Sequence, residues 1–259
     1  MKADKRLGQH FLRDPHVLRE IVAIADPGRS AGVLEIGPGE GALTAFLARE
    51  GVPVVALEKD ERAIAELGER LPGGDVNVVH GDALTADLAA LLPPAVGGRL
   101  PVVVGNLPYN VGSAIYRRLL ELRGKVARIV LMLQKEVAER IVATAGGRAY
   151  GIPSVTTAMT ADAWIVLDVP PSAFAPRPKV SSSVILVELR DTPLVAGEEL
   201  ERFERFLQRA FQGRRKTLQN ALDVAPEVLA AQGVDPQARA EQIAPEALLA
   251  LFRSGVVEV

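Results

Sequence analysis

The chain has 259 residues, 48% hydrophobic and 24% charged, with a formal net charge of −2. It has no apolar run of about 18 residues and its N-terminus is polar, so neither a membrane span nor a signal peptide is expected and the cytoplasm is the expected location. With no cysteine and three histidines, disulfides and thiolate metal sites are excluded and no metal is expected. At so small a net charge, any nucleic acid must be held by local patches.

Residues 1–16 mix Lys2, Lys5, Arg6 and Arg13 with Leu7, Phe11 and Leu12. The apolar three call for burial, so the arm docks rather than frays. Asp14-Pro15 reads as a helix cap and first helical position, and Val17, Leu18, Ile21, Val22 and Ile24 give that helix an apolar face. Gly32–Ile36 is a short strand running into Gly37, Gly39 and Gly41, with a helix expected over Ala42–Glu50. Glycines there let backbone approach a ligand closely. The pattern is not the G-x-G-x-x-G that carries a pyrophosphate. Glu35 and Glu40 disfavour phosphate, so a ligand with an ammonium or sulfonium group fits better.

Val54–Glu58 is a second strand, and Glu58 is placed to accept from ribose hydroxyls. A helix follows from Asp60 to Leu71. Val76–Ala83 is a third strand with Asp82 at its end. Asp82 either accepts from an adenine amino group or caps the next turn. Val102-Val103-Val104-Gly105 is a buried parallel strand, and Asn106-Leu107-Pro108-Tyr109 follows it. Pro108 keeps Leu107 out of the helical region and its carbonyl free. The Asn106 oxygen and the Leu107 carbonyl would be two acceptors beside the flat face of Tyr109, a set suited to an exocyclic amine on a base. The same residues would also serve as a plain strand-to-helix turn.

A fifth strand spans Ala127–Leu133, and helices follow to Val142 and over Ile152–Thr160. Ala163–Val169 and Val184–Leu189 are late strands. Between them, a proline-rich loop carries Phe174, Arg177 and Lys179. Phe174 is either a lid over a flat substrate or a staple onto the core, the staple being favoured by the residues alone. After Arg190 the spacing turns helical at Leu200, Phe203, Phe206 and Phe211, and Arg214-Arg215-Lys216 form the one basic cluster there. The expected division is an α/β domain over 1–190 and a helical domain over 191–259.

Taken together, Leu7–Leu12, Glu35–Gly41, Glu58–Asp60, Gly81–Ala83, Asn106–Tyr109 and Phe174–Val180 resemble the ribosomal RNA adenine dimethylases, most closely their bacterial small-subunit branch. The resemblance implies a Rossmann-like class I methyltransferase sheet with a small C-terminal helical domain, and S-adenosylmethionine as donor. It implies dimethylation at N6 of two adjacent adenosines near the 3′ end of 16S rRNA, in an immature small ribosomal subunit; separately, a monomer is expected. By position, Gln9, His10, Leu12, Gly37, Gly39, Glu58, Lys59, Asp82, Ala83 and Asn106 would hold the cofactor. Asn106, Leu107, Pro108, Tyr109 and Phe174 would carry catalysis. Phe11 would help hold the adenine, and Arg177, Lys179, Arg214, Arg215 and Lys216 would contact RNA. The family usually has Asn where this chain has His10, so only a backbone contact is implied there. A dinucleotide dehydrogenase would need the glycine pattern that is missing. A non-catalytic RNA-binding factor would have no use for Asn106–Tyr109.

Overall fold

From Val33 to Val142 strands alternate with helices, except between Val76–His80 and Val102–Asn106, and that alternation builds a mostly parallel sheet. The structure, a computed structural model, describes residues 10–70, 75–213, 215–255 and 257. Its elements are β1 (Phe11–Leu12), α1 (Pro15–Ala25), β2 (Val33–Ile36), α2 (Thr44–Leu47), β3 (Val54–Glu58), α3 (Glu61–Arg70), β4 (Val76–His80) and β5 (Val102–Asn106). Then come α4 (Gly112–Leu119), β6 (Arg128–Gln134), α5 (Lys135–Val142), α6 (Ile152–Thr160), β7 (Ala161–Val169), β8 (Phe174–Ala175) and β9 (Ser182–Leu189). The chain ends in α7 (Gly197–Ala210), α8 (Leu218–Leu222), α9 (Pro226–Ala231) and α10 (Pro245–Arg253).

Seven strands form one sheet in the order β4-β3-β2-β5-β6-β9-β7. β2 pairs in parallel with both β3 and β5, and β9 runs antiparallel to β6. Strands buried on both faces need continuous apolar runs, which is what Val33-Leu34, Val102-Val103-Val104 and Ile129–Leu133 supply. The direction of winding reverses between β2 and β5, so their carboxyl ends leave a crevice.

Local chemistry positions the rest. Asp14 accepts the His16 N–H at 2.8 Å and starts α1, which buries Val17, Leu18, Ile21 and Val22. After β2, Gly37 and Gly39 take φ of +70° and +56°, a region costly to other residues. This turn delays the helix to Thr44, two residues later than its apolar spacing predicts, and a 3-10 turn over Ala48–Glu50 completes it. The arm docks as expected: β1 pairs antiparallel with β8, setting Leu12 opposite Phe174. Leu7 lies outside the described residues.

The chain forms two compact units: 1–138 with 163–191, and 139–162 with 192–259. The helical unit therefore begins its last passage at Thr192 but also takes Glu139–Asp162 out of the expected 1–190 domain. The reason is its core, where Tyr150, Val155 and Met159 pack with Phe203, Phe206, Leu248 and Phe252. Helical periodicity marks α6 as a helix but does not say which core its apolar face joins.

Candidate active site

The carboxyl ends of β2, β3 and β5, with the loop after β4, surround one cleft. Of the residues expected to hold a cofactor, His10, Leu12, Gly37, Gly39, Glu58, Lys59, Asp82 and Asn106 line it. Ala83 does not; it is buried, and its carbonyl accepts from the Arg118 guanidinium at 2.8 Å. Gln9 lies outside the described residues.

Glu58 organises the glycine loop. One carboxylate oxygen accepts the Gly39 N–H at 2.9 Å, and the other accepts the N–H groups of Lys59 and Asp60 at 2.8 and 2.7 Å. A carboxylate offers about four acceptor sites, so one is left for an incoming hydroxyl. A second hydroxyl needs the Gly39 N–H to yield. Asp82 caps the turn that follows it. Its carboxylate accepts the Leu84 N–H at 2.9 Å and the Lys59 ammonium at 2.7 Å while it borders the cleft. The Lys59 hydrogen bond, then the Leu84 N–H, holds its carboxyl below the usual range.

The two acids of the glycine loop part company. Glu40 pairs with Arg13, so its charge is balanced locally. Glu35 is 1% exposed and lines the cleft, and among the described residues its Oε2 has no hydrogen-bond partner. Burial pushes its carboxyl up to about 8; the Thr44 hydroxyl opposes that and the Glu58 charge adds to it. The expected preference for a cationic ligand thus rests on Glu35 rather than on both acids.

Asn106 ends β5, and its Nδ2 donates to the His10 carbonyl at 3.2 Å. A carbonyl can only accept, so the amide is held with Oδ1 as its remaining acceptor. The Pro108 carbonyl takes the N–H groups of Val111 and Gly112. Among the described residues no backbone hydrogen bond uses the Leu107 carbonyl. The Tyr109 hydroxyl lies 2.7 Å from the Ser182 Oγ, and its ring centroid lies 5.1 Å from that of His10. His10 in turn donates from Nδ1 to the Pro176 carbonyl at 2.8 Å. Burial raises the Tyr109 phenol above its ordinary range, so the ring is a neutral plate.

Phe174 requires a correction. Pairing with Leu12 turns its ring into the core with Leu12, Val17 and Val184, where it is 5% exposed and does not line the cleft. It is the staple, not the lid. Phe11 does line the cleft, beside Gly39. Arg177 and Lys179 are exposed on the loop after β8, and Arg215 and Lys216 are exposed in the helical unit. Arg214 lies outside the described residues. Sequence reasoning missed Arg13, Arg118 and Ser182, whose roles depend on partners far along the chain.

Here an antiparallel strand stands between β6 and β7, and where a dinucleotide fold has its phosphate cradle, β2 brings to the cleft a buried acid whose Oε2 has no hydrogen-bond partner among the described residues. That combination defines an enzyme of the S-adenosylmethionine-dependent class I methyltransferase type. The family model for ribosomal RNA adenine dimethylases matches residues 1–254, and the chain belongs to that family. It is 40% identical to the Ribosomal RNA small subunit methyltransferase A of Moorella thermoacetica, over 96% of this chain and 91% of the relative. Its identity to the protein of the same name in Mesorhizobium japonicum is 42%, over 98% and 94%. Among solved structures, the 23S rRNA methyltransferase ErmE is 31% identical with a TM-score of 0.71, over 94% of this chain and 98% of that one. A dimethyladenosine transferase from Plasmodium falciparum shares the fold, with a TM-score of 0.78 at 24% identity, over 96% and 99%.

Proposed function

We propose that this enzyme dimethylates N6 of two adjacent adenosines near the 3′ end of 16S rRNA, acting as a cytoplasmic monomer on immature small ribosomal subunits. One observation carries the reading: the Asn106 amide is locked by the His10 carbonyl so that its oxygen, the Leu107 carbonyl and the Tyr109 ring form one receptor for an aminopurine.

The buried unpaired oxygen of Glu35 and the open glycine loop fit a cationic nucleoside donor. Gly37, Gly39, Glu58, Lys59, Asp82 and Asn106 would hold it, with the His10 and Leu12 segment closing the side. S-adenosylmethionine supplies an electrophilic methyl group. The residues do the rest. The N6 lone pair is delocalised into the ring and nucleophilically weak. Acceptors at Asn106 and Leu107 draw its N–H bonds out of plane and stabilise positive charge as it develops. Tyr109, steadied by Ser182, stacks on the extruded base and fixes its depth. Orientation supplies much of the remaining acceleration, and no dedicated base is required because the proton leaves after transfer.

Arg177, Lys179 and the cluster at Arg214, Arg215 and Lys216 are the proposed phosphate contacts, the last on a helical RNA-docking unit. The small-subunit target is favoured over a 23S site because the relatives so named reach 40–42% identity, against 31% for ErmE. Primer extension across the 16S 3′ end in a deletion strain tests it. Loss of the paired stops, restored by the gene, is expected; intact stops there, with loss of a 23S modification, would reverse the assignment.

A further inference from the structure

Among the described residues, Glu35 is the buried acid of the cleft with a carboxylate oxygen left without a hydrogen-bond partner. It stands on β2 with Ala56 of β3 on one side and Val104 of β5 on the other, so its strand neighbours offer no polar side chain. Its Oε2 is buried and accepts no hydrogen bond among the described residues, although the residue lines the cleft. The Thr44 hydroxyl is close but likewise makes no hydrogen bond of normal geometry. The other charged or titratable groups around the cleft are already engaged. Glu40 is paired with Arg13, and Lys59 with Asp82. Glu58 is bound by three backbone N–H groups, and His10 and Tyr109 are hydrogen-bonded to Pro176 and Ser182. An ionised carboxylate buried in that position would be largely desolvated, with no cation paired to it among the described residues, and the Glu58 charge would repel it.

We infer that the carboxyl of Glu35 gives up a proton to solvent when the cofactor binds, the positive charge of the cofactor replacing that proton in the cleft. The inference rests on the cleft being the cofactor site. In the ligand-free enzyme the carboxyl stays neutral through most of the physiological range, because burial raises its proton affinity. A cation arriving beside Oε2 reverses the balance. The shared chemistry is a fixed positive charge, which the sulfonium or the α-ammonium of S-adenosylmethionine can each provide. Below about pH 8, deprotonation opposes binding, so affinity rises about tenfold per pH unit until the carboxyl ionises unaided.

The test is titration calorimetry of the full-length enzyme at about pH 6.5 in buffers of different ionisation enthalpy, with wild type and Glu35→Gln compared. The ammonium of the ligand titrates near pH 8 as well, but it does so equally with both proteins and cancels in the difference. The expected result is close to one more proton released per cofactor by wild type, and an affinity in Glu35→Gln that lacks the tenfold rise per pH unit below about pH 7. Equal proton release from the two overturns the inference. S-adenosylhomocysteine, which lacks the sulfonium, separates the sources: release only with S-adenosylmethionine assigns the sulfonium, and release with both assigns the ammonium. Glu58→Ala is run beside them. If its affinity is unchanged, the cofactor is not in this cleft, and both the site reading and the inference fall. If its affinity drops while wild type releases no extra proton, only the inference falls. Should Glu35→Gln not fold, difference infrared spectroscopy of wild type reads the same event as loss of a protonated-carboxyl band on cofactor addition; persistence of that band overturns the inference.

Discussion

Asn106 is oriented by the backbone carbonyl of His10 rather than by a side chain, so this contact does not depend on which side chain stands at position 10. Asn106→Ala removes one preorganised acceptor. Methyl transfer at saturating donor should fall by about 10²–10³-fold, with RNA affinity changed far less. Single-turnover rates beside filter binding check this, and equal losses in both would remove the amide from the transition state. Glu58→Ala should weaken S-adenosylmethionine binding by about 1.5–3 kcal/mol, read by calorimetry on folded protein. Glu35 also sets a pH dependence of stability. Its carboxyl is raised in the fold from 4.5 to about 8, so between those values the folded state binds more protons than the unfolded one. Its contribution is complete below about 4.5 and is lost as pH rises through about 8. Thermal midpoints of ligand-free wild type should therefore decline across that window relative to Glu35→Gln; parallel profiles would mean the acid is ionised in the fold. The types and order of the site residues were legible in the sequence. The lone pairs left open were not, because they depend on contacts such as Asn106 with His10 and Tyr109 with Ser182, 96 and 73 residues apart.

At the scale of elements, the parallel strands were readable because burial on both faces demands unbroken apolar runs. The two-residue strands β1 and β8 were not. Each is too short for any period, and their pairing joins segments more than 160 residues apart. That pairing decided between lid and staple for Phe174. Phe174→Ala should cost about 3–5 kcal/mol of stability, the range for a buried aromatic. Turnover of the fraction that remains folded should stay near wild type. Denaturant unfolding with rate measurement well below the midpoint separates the two effects, and lost turnover in stable protein would return the ring to the substrate. Gly39 is constrained from two directions. Its φ is +56°, and a Cβ there would stand 3.1 Å from the Phe11 ring. Gly39→Ala should strain the loop and displace the ring that borders the cleft.

At the scale of the whole chain, an enzyme of net charge −2 must meet a polyanion through clusters. Replacing Arg214, Arg215 and Lys216 together by Ala should flatten the log K against log salt slope for immature small subunits by roughly 2–3 units. S-adenosylmethionine affinity should be unaffected. An unchanged slope would move the RNA surface to other cations. The interleaving of the two units bears on synthesis as well as on function. Residues 139–162 emerge from the ribosome before the partners of their core, which begin at Thr192 and extend to Val257. At about 5–20 residues per second, Val155 and Met159 wait roughly 2–10 s for Phe203 and roughly 4–19 s for Leu248 and Phe252. During that interval a nascent helix carries apolar side chains with nothing to cover them. Ribosome-bound chains exposing only residues up to about 190 should be cut by protease within 139–162, and chains exposing residue 257 should resist. The helical unit is thus assembled from the earliest and the latest parts of its own translation, and an rRNA-modifying enzyme depends on elongation reaching its final helix before its middle segment is secure.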